Sequence, residues 1–178
     1  MTERVVLDAS IAITKVMQQV GAADVERRLR RWVATGTRLI VPSNFWLEVA
    51  NALIRRHRVS GALLMETLFE LDELGLETEE GGRPLLLLAM DRAERFGLMT
   101  YDATYLALAE LVDATLYTSD RALLAAAGTR GLALDAGGEH RLSETAGRYG
   151  EPRRPTWPDY SGASAYLAQL RGEARRPA

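Results

Sequence analysis

Short β-branched or aliphatic runs alternate along this chain with longer stretches in which apolar residues recur at helical spacing, and that alternation restricts the fold more than any other feature. Strands separated by segments of helical length can cross over and lie side by side, so the pattern predicts an α/β fold with a mostly parallel sheet. Strands are expected over residues 4–7, 38–41, near 76–78, over 114–117 and over 132–134. The first is followed by Asp8-Ala9-Ser10, which opens a helix whose apolar positions Ile11, Ile13, Val16, Met17 and Val20 run on to Gly21. A second helix through Val25, Leu29, Trp32 and Val33 ends near Gly36. Pro42-Ser43 starts a third, with Ser43 as its N-cap, and this one passes Phe45, Val49, Ala52 and Leu53 into Arg55-Arg56-His57-Arg58. Ser60 caps a fourth. Beyond the acidic turn Glu79-Glu80-Gly81-Gly82 a helix begins around Pro84, another runs from about 102 to 111, and a last one covers 119–127.

With 178 residues, 47% of them hydrophobic, the chain is long enough for one buried core and short for two full domains. A single compact domain is expected over residues 1–145, followed by an extension over 146–178. In that extension, 147–159 carries Gly, Pro and Arg without apolar periodicity and reads as a linker or surface wrap, and 163–170 as a short helix. Charged residues of both signs make up 26% of the chain, as in a soluble globular protein. The formal charge of −2 is too small for a whole-molecule field, so any nucleic acid must be attracted by local basic patches and bound cations. The chain has no cysteine, which excludes disulfides, zinc–thiolate sites, iron–sulfur clusters and cysteine nucleophiles and agrees with the cytoplasmic location expected here. Its first residues resemble no secretory signal, and its longest apolar run, Leu85 to Met90, is too short to span a bilayer, so no membrane role is expected.

Sites in open α/β sheets form beyond the carboxyl ends of the strands. Asp8 follows the strand Val5-Val6-Leu7, Asp120 follows Leu116-Tyr117-Thr118-Ser119, and Asp102 starts the apolar helix Ala103 to Ala109. Glu48 differs, because it sits inside a helix on a semi-apolar face with Asn44 and Asn51 beside it and Arg55 two turns downstream. Taken singly, each aspartate is as well explained as a helix N-cap, and Glu48 as the partner of a nearby arginine. Taken together, four carboxylates meeting without cations would repel one another and raise their own pKa values, whereas magnesium or manganese would find in them hard oxygen ligands.

Val5-Val6-Leu7-Asp8-Ala9-Ser10, Pro42 with Glu48-Val49-Ala50-Asn51-Ala52-Leu53, Tyr101-Asp102-Ala103-Thr104-Tyr105-Leu106-Ala107-Leu108-Ala109 and Leu116-Tyr117-Thr118-Ser119-Asp120 resemble, in order and spacing, the four motifs of the PIN domain. The similarity covers about residues 4–135 and is nearest to bacterial VapC-type toxins of type II toxin–antitoxin systems. It implies a three-layer α/β/α fold around a five-stranded sheet and a Mg2+- or Mn2+-dependent endoribonuclease, in which a cation-activated water hydrolyses the phosphodiester. On this resemblance Asp8, Glu48 and Asp102 are the main ligands and Asp120 serves a second cation or a water-mediated contact. Ser10 and Thr118, with Ser119 competing and Asn51 nearby, are candidates for orienting carboxylates or phosphate. The resemblance also implies a cognate antitoxin and a homodimer, for which Leu63, Leu64, Leu68 and Phe69 of the fourth helix offer apolar contacts that core packing explains as well.

Arg55, Arg56 and Arg58 are candidates for gripping RNA phosphates, although favourable charge at a helix C-terminus explains them better. Arg153 and Arg154 carry the same ambiguity, and Trp157 and Tyr160 read as residues that pin the tail. His57 and His140, the only histidines, read as solvated, and Asp113, Asp135, Glu79 and Glu80 as turn residues. Neither a Walker A loop nor a Gly-x-Gly-x-x-Gly turn is present. A phospho-acceptor aspartate of the dehalogenase type would want a second acid where Ser10 stands. The competing reading is a PIN-like RNA- or protein-binding module that keeps its acids without turnover.

Overall fold

The computed structural model describes residues 2–134. The chain divides into two units, Met1–Gly138 and Glu139–Ala178, and the described residues all belong to the first. The expectations for Asp135, His140, Arg153, Arg154, Trp157, Tyr160 and the 146–178 extension fall outside them.

Five strands, β1 (Arg4–Leu7), β2 (Arg38–Pro42), β3 (Glu77–Glu79), β4 (Thr115–Thr118) and β5 (Gly131–Ala133), form one sheet in the order β3-β2-β1-β4-β5. Every neighbouring pair is parallel, from Val5 opposite Leu39 on one side of β1 to Val6 opposite Leu116 on the other. A parallel sheet needs both faces covered, and the central strand meets that demand with Val5, Val6 and Leu7, all fully buried. Among the described residues the chain forms seven helices, α1 (Ala9–Val16), α2 (Ala22–Thr35), α3 (Asn44–Arg55), α4 (Gly61–Asp72), α5 (Gly82–Phe96), α6 (Thr100–Leu111) and α7 (Arg121–Ala127). Helix α6 packs on β1, β2 and β4, while α2 packs on β2, giving three layers, α/β/α. Trp32 of α2 meets Tyr117 of β4 edge-on, with ring centroids 5.3 Å apart. The exposed edge β3, Glu-Thr-Glu, is charged and short, which discourages pairing with another sheet, and Glu77 takes a forked ion pair from Arg38 on β2. Among the described residues no helix is long and apolar enough to cross a membrane.

Several boundaries differ from the sequence expectation for local reasons. Helix α1 stops at Val16 rather than continuing to Gly21: Thr14 turns its hydroxyl back onto the Ser10 carbonyl at 2.8 Å, and Gln18 takes a left-handed conformation, φ 48°. The chain thereby turns before α2, which ends as expected at Gly36, whose φ of 71° suits a residue without a Cβ. Ser43 holds the N-cap position of α3 as expected, but with helical backbone angles and no side-chain cap, whereas Ser60 does accept from the Leu63 amide of α4. Helices α5 and α6 each begin two residues earlier than expected, and β5 is one residue earlier.

Strands β2 and β3 lie on one side of β1 and β4 and β5 on the other, so the chain reverses its direction of progress across the sheet between β1 and β4. Ligands of open α/β sheets bind at such a switch point, beyond the carboxyl ends of the strands.

Candidate active site

Strand β1 delivers Asp8 to the switch point. Its amide donates to the Tyr117 carbonyl of β4 at 3.1 Å, which extends the ladder one residue past β1. Although Asp8 holds the N-cap position of α1, its carboxylate does not cap that helix. Oδ2 instead accepts from the Ser10 hydroxyl and, at 2.7 Å, from the fully buried Thr118 hydroxyl. Both hydroxyls are held in turn, because the Ser119 amide donates to Ser10 Oγ at 3.1 Å and the Asp120 amide to Thr118 Oγ1 at 2.9 Å. The loop after β4 is thus laced to the start of α1 through Asp8. Ser10 and Thr118 have the orienting contacts expected of them; Ser119 contributes its backbone rather than its hydroxyl.

The other acids arrive from three further segments. Asp120 is the N-cap of α7, its Oδ1 accepting from the Leu123 amide at 2.8 Å, so the capping explanation holds for this residue. For Asp102 it does not: the residue is the third of α6, where its charge complements the helix dipole. Glu48 sits half-buried in α3, and its Oε2 accepts from the Tyr105 hydroxyl of α6 at 2.8 Å.

Electrostatics tie the four together. Burial raises Asp8, the hydrogen bonds of Ser10 and Thr118 oppose that rise, and Asp120 adds to it. Glu48 is pushed up to about 7, first by burial, against the Tyr105 hydrogen bond, and further by the charges of Asp8 and Asp102. Asp102 is pushed up to about 6 by burial and then by Asp120 and Asp8. Each of these shifts includes repulsion from another member of the set, which requires proximity. Arg56 is the one described cation that pulls Glu48 back; none acts on Asp8 or Asp102 in this way. Buried carboxylates short of cationic partners have the donor chemistry of a hard divalent-cation site. Among the described residues, however, no three His, Cys, Asp or Glu side chains are gathered into a group that could hold a metal ion. One oxygen each of Asp8, Glu48 and Asp120 is committed to Ser10 and Thr118, to Tyr105 and to the Leu123 amide.

Asn51 is exposed and makes no hydrogen bond with the acids. Arg55, Arg56 and Arg58 are exposed at and just beyond the end of α3, with Arg55 in its last turn and Arg56 at its C-cap. Arg55 and Arg56 thus put charge at the helix end, and the charge of Arg56 acts on Glu48. Two residues were not singled out from sequence. Tyr105 reads as one more apolar position of α6, and only the need of a buried phenol for a partner hints otherwise. Asn44, one turn before Glu48, has a buried Nδ2 without a hydrogen-bond partner. A cleft of about 1030 Å³ lined by Glu3, Arg27, Arg31, Thr37 and Thr115 lies at the opposite ends of the strands and includes none of the four acids.

An all-parallel α/β domain with coupled acids at its switch point belongs to the class of acid-site, nuclease-like α/β domains. Residues 5–128 match the PIN domain, and the chain belongs to that family. PIN domains are generally nucleases and usually work with divalent metal ions. Solved structures share the fold, two of them as follows. PAE2754 from Pyrobaculum aerophilum is 24% identical, with a TM-score of 0.55, over 75% of this chain and 91% of that one. A toxin–antitoxin complex from Klebsiella pneumoniae is 16% identical, with a TM-score of 0.57, over 72% of this chain and 95% of that one. No curated protein matches the chain.

Proposed function

We propose that this chain is a Mg2+- or Mn2+-dependent endoribonuclease, the toxin of a VapC-type toxin–antitoxin pair, acting in the cytoplasm. The observation that carries this reading is the hydrogen-bonded frame at the β1/β4 switch point, in which Ser10 and Thr118 tie Asp8 to the loop of Asp120, and Tyr105, on the helix of Asp102, holds Glu48. These four side chains would hold the cation. When bound, it would supply an acidified water, orient the scissile phosphate and offset charge on the leaving oxygen. The chain itself supplies the framework: Ser10 and Thr118 fix Asp8, and the loop after β4 fixes both hydroxyls. Arg56, whose charge acts on Glu48, with Arg55 and Arg58 exposed beside it in sequence, would neutralise an RNA backbone.

The fold shared with a toxin–antitoxin complex supports an antitoxin as partner. So does an apolar surface on α3 and α4, where Leu47, Met65 and Phe69 are exposed and Trp46, Met65, Leu68 and Phe69 line a shallow groove. The same surface would serve a homodimer. Leu64 and Leu68 are only half-buried and Leu63 and Phe69 exposed, so core packing does not account for this face.

One observation favours the competing module without turnover, namely that no three acids are gathered for a metal. Cleavage of single-stranded or structured RNA by the purified protein in Mg2+ or Mn2+, lost in Asp8→Asn with an unchanged circular dichroism spectrum, is the expected result. RNA binding without cutting in either cation favours the binding module and overturns the nuclease. Harmless induced expression of a chain that cuts RNA in vitro counts against the toxin.

A further inference from the structure

Tyr105 is fully buried in the middle of α6, three residues after Asp102. Its hydroxyl donates to Glu48 Oε2 on α3 at 2.8 Å. One side chain of the helix that carries Asp102 thus holds the acid carried by another helix. The bond is also selective, since it occupies one carboxylate oxygen of Glu48, and no hydrogen bond from the described residues reaches the other. Asp8 is treated alike: Ser10 and Thr118 both go to Oδ2 and leave Oδ1 to something else. A buried hydroxyl donor fixed on one oxygen sets the plane of a carboxylate and orients it, which is how groups behind a ligand tune a metal site.

We propose that Tyr105 is a positioning residue which, by holding Glu48 Oε2, fixes the orientation of the Glu48 carboxylate and sets the affinity of the site for its divalent cation. This rests on the reading that Glu48 is a ligand. A phenol that merely satisfies a core carboxylate would affect folding and not cation affinity.

The test is a double-mutant cycle with Tyr105→Phe, Glu48→Gln and the pair, in the full chain. Mn2+ affinity is measured by electron paramagnetic resonance and calorimetry, and the cation-free melting temperature by circular dichroism. Tyr105→Phe is expected to weaken Mn2+ binding about 10- to 100-fold, the range for losing a group that orients a ligand, and to have no further effect on Mn2+ binding in the Glu48→Gln background. Mn2+ affinity within about twofold of wild type in folded Tyr105→Phe overturns the proposal, as do fully additive losses in the cycle. Should Tyr105→Phe fail to fold, 3-fluorotyrosine at this position keeps the phenol. Its fluorine resonance is expected to move on titration with Mg2+ and to stay still in Glu48→Gln; a silent resonance while Mg2+ binds overturns the proposal. Wild-type protein that binds neither cation instead refutes the metal-dependent function itself, and the role of Tyr105 falls with it.

Discussion

Glu48→Gln separates the electrostatic cost of the acid cluster from its chemistry. Glutamine keeps the length of the side chain and an oxygen that accepts from Tyr105, and it removes the charge. In the fold, burial and the neighbouring acids raise the Glu48 carboxyl from 4.5 to about 7. The folded protein therefore binds this proton more tightly than the unfolded chain does. The resulting stability is fully present below pH 4.5 and is lost as the pH rises through about 7. At about 1.4 kcal/mol per tenfold change in acidity, the whole effect corresponds to roughly 3 kcal/mol, which solvent around a half-buried side chain reduces to about 1–2 kcal/mol. Without cations, Glu48→Gln is thus expected to be more stable than wild type at about pH 8, by about 2–6 °C in Tm, and equal to it once both side chains are neutral. Melting curves in EDTA across this pH range measure the difference. Added Mn2+ should then raise the Tm of wild type and leave Glu48→Gln nearly unmoved. A variant less stable than wild type at about pH 8, or with the same advantage at about pH 4, refutes the claim that Glu48 is an electrostatic burden of the fold.

Thr118→Val removes a donor to buried Asp8 and orphans the Asp120 amide, so urea denaturation should register a loss of about 1–3 kcal/mol although the two side chains have nearly the same shape. Phe69→Asp on the exposed apolar face should leave monomer stability within about 0.5 kcal/mol and abolish association seen by sedimentation velocity; unchanged association would clear this face of a docking role. Arg56→Ala should lower the slope of log RNA affinity against log salt by about 1, and an unchanged slope assigns Arg56 to the helix end alone.

The alternation of strand and helix was enough to read the parallel sheet, because a strand buried on both faces, such as Val5-Val6-Leu7, is a continuous apolar run that few other elements produce. The places of Asp8 and Asp120 beyond the strand ends were legible because each follows a strand within two residues. Turn chemistry was less legible. That Gln18, a residue other than glycine, would adopt the left-handed conformation that ends α1 depends on tertiary packing, and no local signal marks it. The contact between Tyr105 and Glu48 spans 57 positions and two helices, and periodicity assigns Tyr105 to the core whether or not its hydroxyl has a task. The direction of the carboxylates was illegible for the same reason: spacing brings acids to one end of a sheet, but hydrogen bonds from Ser10, Thr118 and Tyr105 decide which oxygens remain.

The position of the acids also determines how the fold tolerates them. Val5, Val6, Leu7, Leu116 and Tyr117, on the two strands that end at the site, are all fully buried. Burial of each such aliphatic side chain is worth about 1.5–3 kcal/mol, so a single strand offsets a repulsive cost of the size derived for Glu48. Of the raised carboxyls, Asp8 is thus borne directly by the best-packed part of the sheet. Two kinds of substitution should then part company. Neutralising a raised acid such as Glu48 relieves the fold, so stability is expected to rise as activity falls. Truncating the strand beneath, as in Leu116→Ala, costs about 2–5 kcal/mol and lowers both together, because the site is displaced along with its support. If acid and strand variants instead fell on one line of activity against stability, the four carboxylates would be no more than surface charges on a stable sheet.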